Sequence, residues 1–291
     1  MKNVSRFCVM LFAISFIHLE SAEATPGTGV DSTIRQGEIP FKLYGGFLIM
    51  VEGRIGDRDK LKFVLDTGVT FSAVDRKLAE KLNVEHRAGK ILNFDKTVAA
   101  EWAEVPHLEF GPIQVSNISM MVADLRYFQS YATHVDAVIG LDVLRLSSFS
   151  IDYNSHRVSF GPVDTSSGVP MDQDAICITV KLMVGDTPVR LMVDTGAQAM
   201  IFYEDRVVPR LPQLRIEGEI TGRSLGGSLL SKRGSISKAR LGATDLDGIV
   251  FLVKAPSGNV LPGIDGYLGT SALKARRIDF NFETNTLAWK K

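Results

Sequence analysis

Lys62-Phe63-Val64-Leu65-Asp66-Thr67-Gly68 and Arg190-Leu191-Met192-Val193-Asp194-Thr195-Gly196 are two versions of one phrase, set 128 residues apart. Each is a run of strand-forming apolar residues that stops at an Asp-Thr-Gly turn. Outward from them the match continues in order. Asp136-Ala137-Val138-Ile139-Gly140 answers Asp265-Gly266-Tyr267-Leu268-Gly269, 70 and 71 residues beyond the respective aspartates. Ser150-Ile151-Asp152-Tyr153 then answers Arg277-Ile278-Asp279-Phe280, and each copy closes on a short strand, near residues 158–160 and 287–289. Three matched blocks in one order, at nearly one spacing, identify a duplicated fold unit.

Between the blocks the chain reads as strands separated by turns, clearest at residues 47–51, 176–184 and 249–253. Helix is scarce. One segment is expected to start at Asp75 as N-cap and to run through Leu78 and Leu82, one turn apart on one face. Short helical turns are expected after each hydrophobic-Gly block, at residues 141–146 and 270–275. The expectation is an all-β, bilobal protein of two pseudo-twofold-related, barrel-like lobes, residues 39–162 and 171–291, joined by a Ser/Gly/Pro-rich linker, 163–170.

The chain has 291 residues and 45% hydrophobic content, enough to bury one large core or two modest ones. Lys plus Arg equals Asp plus Glu at 33 each, so it carries no basic footprint for nucleic acid or an anionic membrane surface. Residues 1–24 are laid out as a signal peptide: Lys2 and Arg6, an apolar run over 7–19, then Ala22-Glu23-Ala24 as the cleavage site. An exported protein, secreted or periplasmic, with no membrane association after cleavage and an N-terminal extension over 25–38, is expected. Cys8 falls inside the signal, which leaves Cys177 alone, a core residue with no disulfide partner.

A lone Asp-Thr-Gly usually does no more than end a strand. Its recurrence at one place in both copies changes the reading, because equivalent residues near a pseudo-twofold axis face each other. Two carboxylates so placed cannot both ionise cheaply, so Asp66 and Asp194 would share a proton. The ionised one can then take a proton from water while the other donates to a carbonyl. Gly68 and Gly196 give the backbone room to curl beneath the carboxylates. Other chemistries lack their residues. His86, His107, His134 and His156 stand singly, no nucleophile elbow surrounds a serine, and no Gly-rich loop opens a helix, so neither metal nor cofactor is expected. Asp245-Leu246-Asp247-Gly248 reads as a turn, and Asn117-Ile118-Ser119 is a glycosylation sequon.

The doubled Asp-Thr-Gly, each followed about 70 residues later by a hydrophobic-hydrophobic-Gly block, resembles the pepsin and retropepsin superfamily of aspartic proteases. The resemblance spans residues 39–289 and implies an aspartic endopeptidase acting on an extended peptide or protein, with catalytic Asp66 and Asp194. It further implies that Thr67 and Thr195 hydrogen-bond across the lobe interface and that Ile139-Gly140 and Leu268-Gly269 pack behind the catalytic loops. One chain supplies both halves, so a monomer is expected to suffice. Asp194-Thr195-Gly196-Ala197 has the retropepsin form, and the first copy differs only at Val69. Neither Val69 nor Ala197 brings the hydroxyl that supports the ionised carboxylate in pepsin-like chains, so a mildly acidic optimum is expected. Flap hairpins are expected at Asn93-Phe94 and at Gly226-Gly227. The alternative reading is a catalytically silent peptide-binding protein that keeps the fold.

Overall fold

The strand that leads to Asp66, Arg58–Leu65, is exposed over its first three residues and buries Phe63, Val64 and Leu65 at its far end. Its counterpart, Thr187–Asp194, follows the same gradient and buries its last four residues. A strand that sinks into the protein as it approaches its terminal aspartate must have both faces covered, and the sheets around it supply that cover. The computed structural model describes residues 16–18, 31–93, 96–131, 133–174, 176–224, 227–255, 261 and 263–291. Strands hold 56% of the residues and helices 11%, which makes the chain all-β.

Two ten-stranded sheets repeat one order. In the first lobe it runs through His86–Asn93, Lys96–Phe110, Ile113–Ala123, Ala73–Asp75, Ala137–Ile139, Arg58–Leu65 and Leu48–Ile55. In the second it runs through Arg215–Ser224, Gly227–Ile236, Gly248–Val253, Met200–Tyr203, Gly266–Gly269, Thr187–Asp194 and Ile178–Val184. Most pairs are antiparallel, but each aspartate strand runs parallel to the strand of its hydrophobic-Gly block. Ile139 lies opposite Leu65, and Gly269 opposite Asp194. Phe16–His18, within the stretch expected to be a signal, pairs antiparallel with Ile91 to Asn93 at the outer edge of the first sheet.

A third, six-stranded sheet joins the lobes, in the order Val169–Pro170, Thr286–Lys290, Arg277–Asn281, Phe149–Asp152, Arg157–Phe160, Gly37–Pro40. At its centre the third repeated block pairs with its own copy, Ile151 opposite Ile278 and Phe149 opposite Phe280. The Phe149 and Phe280 rings stack at 4.7 Å, a contact that adds about 1 kcal/mol to what burying the two rings contributes. One buried cluster runs continuously through both lobes, and a smaller one lies on the aspartate-bearing face of each: Val64, Val69 and Val138 in the first, Met192, Ala197 and Tyr267 in the second. Residues 31–38, set apart in the sequence as part of an extension, contain the strand Asp31–Ile34, paired with Ile113–Ala123, and the first half of Gly37–Pro40.

The expected helix forms over Arg76–Leu82, with Asp75 at the N-cap accepting from Lys77 N and Asn83 closing it in the left-handed conformation. Such a cap is worth about 1 kcal/mol. The helical turns after the two blocks are Leu141–Leu144 and Thr270–Leu273. Leu125–Tyr131 and Glu204–Val207 are further helical turns that the sequence did not announce.

Candidate active site

The two Asp-Thr-Gly turns meet face to face between the lobes, bonded to each other through Thr67 and Thr195. Asp66 is 1% exposed and Asp194 is fully buried. Within each turn the aspartate bends back on its own backbone: Gly68 N donates to Asp66 Oδ1 at 2.8 Å and Gly196 N to Asp194 Oδ1 at 2.7 Å. The two carboxyl groups are close enough for the Asp66 charge to act on Asp194, and each lies against the other lobe's turn glycine. Their Oδ2 atoms are buried and meet no protein donor in hydrogen-bond geometry. One oxygen of each carboxyl is therefore fixed, and the other is left for chemistry.

Glycine is required at both turns by proximity. A Cβ on Gly68 would lie well inside van der Waals contact with Asp194 Cγ, and a Cβ on Gly196 would strike Asp66 Oδ2. Each turn thus presses its backbone against the other lobe's carboxyl. The threonines lock that approach. Thr67 N donates to Thr195 Oγ1 at 3.0 Å and Thr195 N to Thr67 Oγ1 at 3.1 Å. Both hydroxyls then donate onward at 2.9 Å, Thr67 to Val193 O and Thr195 to Leu65 O. All four bonds are buried and cross between lobes.

Behind the turns lie the hydrophobic-Gly blocks. Asp66 N donates to Ile139 O at 3.0 Å, and Leu268 pairs in register with Val193. Leu141 N reaches Val69 O at 2.8 Å in the first lobe, while Gly269 N reaches Ala199 O at 3.1 Å in the second. A Cβ on Gly140 would sit 2.9 Å from Val69 O, and one on Gly269 2.5 Å from Ala197 O, so only glycine lets the loops close this tightly. The structure therefore brings together Asp66, Thr67, Gly68, Ile139, Gly140, Asp194, Thr195, Gly196, Leu268 and Gly269.

The expected flap segments are hairpins in both lobes. Asn93 pairs with Lys96, and Ser224 with Gly227, the first residue of its strand. Phe94 and Gly226 lie outside the described residues. The first hairpin is rooted beside the loop that follows Asp66, where Phe71 meets Trp102 edge to face at 5.4 Å.

Electrostatics separate the pair from ordinary carboxylates. Burial pushes Asp66 up to about 6, against hydrogen bonds that favour its charged form. Asp194 is pushed well above its ordinary range, by burial first and by the Asp66 charge second. Two acids in a dry contact hold a proton between them at a pH where free carboxylates would have lost it. Among the described residues no group of three or more His, Cys, Asp or Glu side chains is placed to hold a metal ion.

Sequence reasoning missed some supports. Asp136 and Asp265 were visible as a repeat, but their task was not: Asp136 Oδ2 accepts from Lys62 N at 2.8 Å, and Asp265 Oδ2 from Arg190 N at 2.9 Å, steadying each strand four residues before its aspartate. Ser72 and Asp142 form a linked pair behind Asp66. Ser72 and Asp142 have no like counterpart in the second copy, so comparing the repeats gave them no signal.

The family described as aspartyl protease matches the chain twice, over residues 51–143 and again over residues 180–272, each match holding one Asp-Thr-Gly turn and one hydrophobic-Gly block. No curated protein matches the chain. With two matched units, each supplying one aspartate, the chain belongs to the aspartyl protease family, as a tandem of two retropepsin-like units.

Proposed function

We propose that the chain is an aspartic endopeptidase that hydrolyses peptide bonds with a water activated between Asp66 and Asp194. The observation that carries this is the pair of buried carboxyls in mutual contact, each with Oδ1 fixed by a glycine N–H and Oδ2 without a protein donor. Asp66, the less strongly shifted of the two, acts as the ionised base, and Asp194 holds the shared proton. Asp66 takes a proton from water as its oxygen attacks the scissile carbonyl. Asp194 donates to the carbonyl oxygen to give a gem-diol, which collapses as Asp66 passes its proton to the leaving amine nitrogen and a gem-diol hydroxyl returns a proton to Asp194.

The substrate is an extended peptide, bound by main-chain hydrogen bonds beneath the hairpins with side chains in alternate pockets. One chain suffices, since both carboxyls are its own. The protein works after export, freed of residues 1–24, at mildly acidic pH.

The test is digestion of an unbiased peptide library, read by mass spectrometry between about pH 4 and pH 7. Cleavage by the wild type and none by Asp66→Asn or Asp194→Asn is expected. Cleavage that persists in either variant refutes the shared-proton mechanism. Peptide binding with no cleavage in any form assigns the chain to the silent reading.

A further inference from the structure

The two halves of the pair are not held alike. In the first lobe the loop that begins at Asp66 is clasped at three points by the segment on either side of Gly140. Asp66 N donates to Ile139 O at its start, and Leu141 N and Asp142 N donate to Val69 O and Thr70 O in its middle. Its far end is held by Met121 N, which donates to Ser72 O at 2.9 Å, and by one side chain. Ser72 N donates to Asp142 Oδ2 at 2.9 Å, Ser72 Oγ donates to Asp142 Oδ1 at 2.7 Å, and Gly140 N donates to Ser72 Oγ at 3.0 Å. The hydroxyl both gives and receives, so its rotor is fixed. Asp142 Oδ1 also accepts from Val143 N at 3.0 Å.

In the second lobe the equivalent positions are Met200 and Ser271. Met200 offers no side-chain donor, and Ser271 Oγ turns instead to Gln198 O. The loop after Asp194 is thus held by neutral bonds, the loop after Asp66 by the Asp142 carboxyl, whose two oxygens accept from Ser72 N, Ser72 Oγ and Val143 N. Burial pushes that carboxyl up to about 6 against these bonds, so above that pH it is a charged acceptor, and bonds to one are roughly twice as strong as neutral ones. The first loop also has more to carry, because Thr70 Oγ1 reaches across to Ile176 O at 2.7 Å. Arg145, close enough to Asp142 for Coulombic attraction, extends the tie by donating from Nη1 to Asp174 O at 2.9 Å, on the approach to the second lobe.

We propose that Asp142 is a positioning residue for Asp66: through Ser72 it fixes the far end of the loop that aims the first carboxyl, a clamp that the second lobe lacks. The inference deepens the proteolytic reading, and its kinetic arm rests on that reading.

The test compares Asp142→Ala, Asp142→Asn and Ser72→Ala with wild type on one fluorogenic peptide drawn from the library hits. It also follows hydrogen exchange at the Gly68 and Gly196 amides by NMR. Asp142→Ala is expected to lower kcat about tenfold or more with KM changed less than about threefold, since small displacements of reacting groups act on the chemical step. Ser72→Ala should fall in the same direction, and Asp142→Asn, which still offers partners to Ser72, should recover part of the loss. Exchange at Gly68 should quicken about tenfold in Asp142→Ala while Gly196 keeps its wild-type rate. Wild-type kcat and wild-type Gly68 exchange in Asp142→Ala overturn the proposal, as does equal loosening of Gly68 and Gly196. If Asp142→Ala does not fold, Ser72→Ala is judged by the same criteria. If wild type cleaves no peptide, the proteolytic reading fails by itself, and the Gly68-against-Gly196 comparison still decides the role of Asp142.

Discussion

Replacing Asp66 by Asn should make the protein more stable at neutral pH, although it removes half of the proposed catalytic pair. The reasoning starts from burial. Asp66 is carried from an ordinary 3.8 up to about 6 because the folded chain gives its charge too little solvation. Between those values the folded chain keeps a proton that the unfolded chain releases, so stability falls as pH rises across the window and the penalty is complete above it. At about 1.4 kcal/mol per pH unit, a shift of about two units costs about 3 kcal/mol. Asn keeps a carbonyl oxygen for Gly68 N–H and has nothing to ionise. It also removes the charge that helps push Asp194 upward. Calorimetry on wild type and Asp66→Asn should therefore show equal stability near about pH 3.5 and a gain of about 3 kcal/mol at pH 7, about 6 °C in Tm for a chain of this size. A difference that is the same at both pH values, or a loss at pH 7, refutes the claim that desolvation dominates the site.

The contacts between the lobes yield two further expectations. Gly68→Ala or Gly196→Ala would drive a methyl into the opposite carboxyl and force the pair apart, so kcat should fall about a hundredfold while circular dichroism still reports the folded sheets. Thr67→Val would leave Val193 O and Thr195 N buried without their partner, and urea unfolding should show a loss of about 2–4 kcal/mol that Thr67→Ser largely avoids.

What could be read from the sequence was what the chain states twice or states locally. The Asp-Thr-Gly turns were legible because a strand, a carboxylate and a glycine coincide in both copies, and the Arg76–Leu82 helix because Asp75 caps it from one residue away. The third block was legible as a repeat but not as a joint. Nothing in Phe149–Asp152 says that its partner is Arg277–Asn281 more than a hundred residues on, since strand partners are chosen by the whole fold. Strands Asp31–Ile34 and Gly37–Pro40 were passed over because their short polar sequences become strands only against Ile113–Ala123 and Arg157–Phe160. Asp142 was invisible for the opposite reason. It is stated once, and its meaning depends on Ser72, seventy residues earlier.

Duplication within one chain explains where symmetry is kept and where it is lost. At the axis every group must serve its own copy, so Thr67 and Thr195 reproduce each other's bonds to within 0.1 Å, and both glycines are needed because each faces the other's aspartate. One shell further out that demand ends. Val138 and Tyr267 occupy equivalent strand positions, yet the tyrosine is buried with its hydroxyl 2.9 Å from that of Tyr203, a polar contact the first lobe has no counterpart for at Val138. Ser72 with Asp142, against Met200 with Ser271, is a second departure of the same kind. In a homodimer each such change would be made twice, and a residue that suited one half of the substrate would be imposed on the other. A fused chain is free of that constraint. Its two carboxyls can acquire different surroundings and so different proton affinities, which is what dividing one proton between a base and an acid requires.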